Sequence, residues 1–100
     1  MNFLPEFELN KPEEIQDFLD HHRIEIATLT LEAIKRAVNE DLLYMPIMKL
    51  IIHQIPVAVI TVYREKFDES LRKCLMHFQE AEYYEQCAEI VKLLNDERLK

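Results

Sequence analysis

Glycine is absent from all 100 residues. That excludes every glycine-dependent phosphate cradle, including the dinucleotide fingerprint and the phosphate-binding P-loop. It also means that any turn needing positive φ must be made by residues carrying a Cβ. Cysteine is scarce: Cys74 and Cys87 are the only two. Two do not make a disulfide framework, and a reducing cytoplasm is the natural setting. Bases are outnumbered, with 12 Lys and Arg against 19 Asp and Glu, for a net charge of −7. So acidic a chain lacks the electrostatic footprint of a phosphate-backbone binder, and direct nucleic-acid binding is not expected. The opening MNFLPEFELNK has neither the basic stretch nor the long apolar core of a secretory signal, so a cytoplasmic location is expected.

What is present is apolar material. Hydrophobic residues make up 49% of the chain, which argues against disorder. One hundred residues suffice for a single domain with a modest core, read here as residues 1–100. Its richest stretch is Leu42–Tyr63, LLYMPIMKLIIHQIPVAVITVY. Lys49, His53, Gln54, Pro46 and Pro56 interrupt it, and a midpoint lysine costs roughly 2.5–3.5 kcal/mol in a bilayer. No membrane span is expected. Two readings remain. In one, Pro56 opens a helix whose face carries Ile60, Tyr63, Phe67, Leu71, Cys74 and Phe78. In the other, the β-branched run Val57–Tyr63 and the run around Ile51-Ile52 are strands covered on both faces. Composition favours two strands, at about 47–55 and 57–63. The connecting His53-Gln54-Ile55-Pro56 offers no glycine or asparagine for a tight hairpin. The alternative is an all-α bundle with helices at 46–55 and 56–79.

The flanks are helical. Residues 1–33 hold eight acids and two bases. Phe3, Phe7 and Leu9 make residues 1–10 an extended arm, laid over the domain or against a partner. Asn10 is a candidate N-cap, with Pro12, Glu13 and Glu14 in the first turn. Helices are expected over about 12–21 and 23–40, or as one long helix, because no proline or glycine divides them. Beyond residue 64, Phe67, Leu71, Cys74, Leu75 and Phe78 mark one amphipathic helix, and Cys87, Ile90, Val91 and Leu94 a second. A polar break at Gln79–Glu82 folds them back as an antiparallel hairpin.

Glu82-Tyr83-Tyr84-Glu85-Gln86-Cys87-Ala88 gives the hairpin an E-Y-Y-E-x-C-A pattern. In this it resembles in outline the small helical hairpin of nucleotide-excision-repair nucleases, across about 25 residues from Leu75 to Glu97. The resemblance implies protein contacts. Val91-Lys92 stand where that motif carries Arg-Asp, so the likeness is one of architecture rather than of family membership.

Chemistry-bearing clusters are few. Cys74, His77 and Cys87, joined by His53, His21 or His22, are the one soft-metal grouping. Their spacing matches no zinc signature, and both cysteines read as small apolar residues of the hairpin seam. His21-His22 point about 100° apart on a helix and read as an exposed pair. Cys74 with His77 or His53 lacks an orienting third group for nucleophilic catalysis. No catalytic residue, metal ligand or cofactor is assigned.

The expectation is therefore an α+β domain: N-terminal helices, a small two-stranded element whose edges invite a partner strand or self-association, and a C-terminal helical hairpin covering it. The expected function is a non-enzymatic adaptor or inhibitor of a larger protein with a basic surface, in the manner of a phage or mobile-element factor. Glu80, Glu82, Tyr83 and Tyr84 at the hairpin tip are its candidate contacts, with Glu13, Glu14, Asp17 and Asp20 in the acidic N-terminal third. The alternative is an oligomeric small-ligand or metal-binding protein with His53, Cys74 and His77 near a pocket.

Overall fold

The computed structural model describes residues 4–99. Phe3, assigned to the arm, lies outside the described residues. The chain is α+β, in the order β1 (Glu6–Leu9), α1 (Ile15–His21), α2 (Arg23–Asn39), β2 (Tyr44–Ile52), β3 (Ile55–Tyr63), α3 (Phe67–Glu80) and α4 (Tyr84–Leu94). Short 3-10 turns at Pro12–Glu14, Arg64–Lys66 and Glu97–Leu99 complete it.

Leu42–Tyr63 is a β-hairpin, which removes the all-α alternative. The strands span Tyr44–Ile52 and Ile55–Tyr63 rather than 47–55 and 57–63. The difference lies in the turn. His53 and Gln54 both take positive φ, 50° and 66°, the left-handed pair that a two-residue hairpin requires. The chain thus meets the turn's demand with ordinary side chains, and the strands close two residues tighter.

The sheet has three strands among the described residues, not two. Glu6–Leu9 pairs parallel with Lys49–Ile52, giving the order β1-β2-β3. The extended arm, expected over the domain or against a partner, is an edge strand of the sheet, anchored further by the Lys49 N–H donating to the Pro5 carbonyl at 2.9 Å. Its alternation is plain in retrospect: Leu9 is buried and Phe7 half-buried, while Glu6 and Glu8 face solvent.

Two register shifts break the β2–β3 ladder. Ile47 is the extra residue in β2 and Val57 in β3. Such bulges bend and twist a strand. They also explain the absent alternation, since Ile47 and Met48 are both buried although adjacent.

The helices lie on one side of the sheet. Ile34, Phe67, Leu71, Phe78 and Ile90 are fully buried with Met48 and Leu50 in one core, each worth roughly 1.5–3 kcal/mol of transfer free energy. α1 and α2 are separate helices, broken at His22 (φ −118°, ψ 33°). The His22 ring stacks on Phe18, centroids 4.3 Å apart, and Phe18 packs on Phe7 at 4.9 Å. β1 therefore fixes α1. Asn10 does not cap with its side chain. Lys11 occupies the N-cap, and Glu14 Oε1 reaches back to accept from the Asn10 N–H at 2.8 Å.

Both long helices that lead into turns end in Schellman caps. Leu42 N–H bonds Ala37 O at 2.8 Å, and Tyr83 N–H bonds Phe78 O at 2.8 Å. Glycine usually fills the left-handed position of this motif. Here Asp41 (φ 55°) and Glu82 (φ 62°) do.

Candidate functional site

Because helices cover one side of the sheet only, its other face is open. Pairing aligns Glu6 and Glu8 on β1 with Lys49 and Ile51 on β2, then Lys49 with Val59 and Tyr44 with Tyr63. Tyr44, Val57, Val59 and Tyr63 are each about half exposed, at 57, 49, 51 and 54%. The Tyr44 and Tyr63 rings meet across the strands, centroids 6.1 Å apart. β3 carries no charged residue along its length, so this half of the face is neutral and apolar. Exposed apolar side chains scattered singly are ordinary, whereas a contiguous patch marks an interaction surface. The sequence signal for it was the β-branched run itself, read as covered on both faces. It is covered on one.

On the helix side, α1, α2, β3 and α3 enclose a cleft of about 780 Å³. Ala27, Ile47, Val62 and Cys74, all buried, form its floor. Thr30 Oγ1 is committed to the Ile26 carbonyl at 2.8 Å. Arg23, Lys66, Lys73, Asp20 and Glu69 contribute charge to the lining. Cys74 and His77 both line this cleft, as the small-ligand alternative requires, but His53 sits in the β2–β3 turn and does not.

Cys74 faces α2 rather than the α3–α4 seam, its thiol donating to the Ala27 carbonyl at 3.7 Å. Burial pushes that thiol up to about 11, so it stays protonated at neutral pH and is a poor nucleophile. Cys87 is half-buried and packs against the core's edge. No hydrogen bond joins His77 to Cys74 or Ser70 among the described residues. His77 Nδ1 is buried without a partner. No group of three or more His, Cys, Asp and Glu among the described residues could hold a metal ion, and no helix among them is long and apolar enough to cross a membrane.

The sequence-predicted contact residues fall in two separate places. Glu13, Glu14, Asp17 and Asp20 lie on the first 3-10 turn and α1, and Asp17, Asp20 and Glu13 are exposed. Glu80 ends α3, Glu82 and Tyr83 lie in the α3–α4 turn, and Tyr84 opens α4. No hydrogen bond or ion pair links the two groups among the described residues. Tyr83 has a structural duty, since it stacks on Phe78 at 5.9 Å and 21° as the hydrophobic contact of the Schellman cap. Tyr84 is 67% exposed and is the free ring of the pair.

The chain matches no protein-family model, no curated protein and no solved structure.

Proposed function

We propose that this protein is a non-enzymatic protein-interaction module, an adaptor or inhibitor that docks on a larger protein through the open face of its sheet. The carrying observation is the neutral apolar strip of Tyr44, Val57, Val59 and Tyr63, half exposed on an otherwise acidic molecule. Glu6 and Glu8 border the strip on the same face. The partner surface this suits is apolar at its centre with a basic rim, so that potentials complement each other. A second copy stacked face to face supplies no such rim, because each brings a charge of −7 and Lys49 is the sole base on the described strands. Strand addition is a lesser mode. Pro56 and the Val57 bulge blunt the first half of the β3 edge, leaving Ala58–Tyr63 free. The exposed acids Glu13, Asp17 and Asp20 and the tip residues Glu80, Glu82 and Tyr84 supply further acidic contacts, able to occupy a basic groove on the same partner.

A photo-crosslinking residue at position 57 tests this in the native host. It should give one dominant adduct heavier than a dimer of this chain, lost when Val59→Glu is added, while the same probe at exposed Lys92 gives none. An adduct of dimer mass would replace the larger protein by a second copy, and absence of any adduct would remove the docking reading.

A further inference from the structure

We infer that the cleft between α1, α2, β3 and α3 is a binding site for a small organic carboxylate with an apolar tail. Its volume of about 780 Å³ lies within the range of small-molecule sites, roughly 300–1,000 Å³. The floor of Ala27, Ile47, Ile60, Val62 and Cys74 is apolar and suits a hydrocarbon body, while Thr61, Ser70 and His77 add polar groups to the lining.

The charged lining determines the head group. Lys66 is paired with Glu69 at 3.6 Å, and Asp20 accepts from Gln16 at 3.1 Å. Arg23 on α2 and Lys73 on α3 carry no hydrogen bond or ion pair among the described residues. Lys35, Arg64, Arg72 and Arg98 are held by carboxylates, and of the described cations without such a partner Arg23 and Lys73 are the two that line this cleft. Two uncommitted cations beside one apolar cavity, on a chain of net charge −7, complement a single negative head. Arginine's planar fork matches a carboxylate, and lysine adds a point charge. Two cations fall short of what a polyphosphate needs. The cleft lies across the sheet from Val59, which faces Lys49 on the open side, and the two surfaces meet only at Tyr63 and Asp20, which border both.

Sodium octanoate is the probe, titrated into isotopically labelled protein and followed by amide chemical shifts, with octanol and octylammonium as tail-matched controls. Octanoate should give saturable shifts at Ala27, Thr30, Ile60 and Cys74. The double substitution Arg23→Gln with Lys73→Gln, both at exposed positions, should weaken binding about tenfold. Val59→Glu should leave it unchanged. Octanol binding as tightly as octanoate would overturn the head-group assignment and with it the proposal. Absence of saturable shifts at those four amides, or shifts confined to Tyr44, Val57 and Val59, would overturn the site itself. An unchanged affinity in the double variant with native-like spectra would do the same.

Discussion

Arg64 donates through Nη1 to the main-chain carbonyl of Arg98 at 2.7 Å. The same guanidinium gives Nε to Leu42 O at 3.0 Å and Nη2 to Ala37 O at 3.4 Å, and lies over the Phe67 ring at 5.6 Å. One side chain thus satisfies carbonyls of the α2 terminus, the α2–β2 connection and the C-terminal turn. Its side chain is only 16% exposed. Arg64→Ala should cost about 3 kcal/mol, since hydrogen bonds to a charged group are worth roughly 1.5–3 and the Leu42 and Arg98 carbonyls both lose this donor. Arg64→Lys should recover less than half, because a single ammonium cannot span three acceptors. Urea melts measure the loss. Amide exchange at Leu99 should quicken in both variants before the core amides do.

Glu82→Gly should stabilise the protein by about 1 kcal/mol. Glu82 holds φ 62° at the cap of α3, a conformation that crowds any Cβ, at roughly 1–2 kcal/mol. The side chain returns little, an exposed hydrogen bond from Tyr84 at 3.3 Å. The melting temperature should rise by about 4–8 °C. Glu82→Ala keeps the Cβ and should show no rise, which separates backbone strain from charge.

The hairpin turn allows the same test twice over. His53→Asn with Gln54→Gly installs the residue pair that type I′ turns prefer. It should add about 1 kcal/mol, read as a higher urea midpoint at an unchanged slope. A loss of stability would mean that the His53 or Gln54 side chain holds the turn by contacts of its own.

Helix content, the strand pair and the helical pair after residue 66 were legible because each rests on local signals. These are three-and-four spacing, β-branched density and a polar interruption. The break at His22 was open against one long helix, since no proline or glycine marks it. β1 was not legible, although Phe7 and Leu9 alternate with Glu6 and Glu8. A four-residue strand paired parallel to Lys49–Ile52 depends on a partner some forty residues away, and no local pattern encodes that. Of the candidate contact residues, Glu13, Asp17, Asp20, Glu80, Glu82, Tyr83 and Tyr84 are exposed and Glu14 is half-buried. Tyr83 was not separable from Tyr84, because only the cap geometry at Glu82 decides which ring turns onto Phe78. The open sheet face was hidden for a related reason: two bulges destroy the alternation that would have announced a one-sided strand pair.

Cys74 should be silent to thiol reagents in the native state, and Cys87 should react alone. Burial raises the Cys74 thiol from its ordinary 9.0 to about 11. The protonated thiol is favoured by the fold, so its contribution is fully present below pH 9 and is lost as pH rises from 9 towards 11, on the order of 2 kcal/mol. Other groups titrate there too. The comparison with Cys74→Ala therefore carries the test: the variant should be less stable at pH 7, and its stability should fall less steeply over that interval. A second equivalent of reagent consumed before unfolding would contradict the burial.

Val59 faces Lys49 directly across the β2–β3 ladder. Cross-strand neighbours of opposite charge stabilise a sheet by roughly 0.2–1 kcal/mol, and like charges cost a similar amount. Val59→Glu should therefore fold with a smaller loss than Val59→Lys, by about 0.5–1 kcal/mol, although both give up the same β-branched side chain. Raising salt to about 1 M shortens screening to roughly 3 Å and should close most of that gap. Equal stabilities at low salt would place residue 59 out of register with Lys49 and move the centre of the apolar strip with it. With the predicted order, Val59→Glu becomes the variant of choice for the docking surface, since it charges that face while the helices and the core beneath stay as they are.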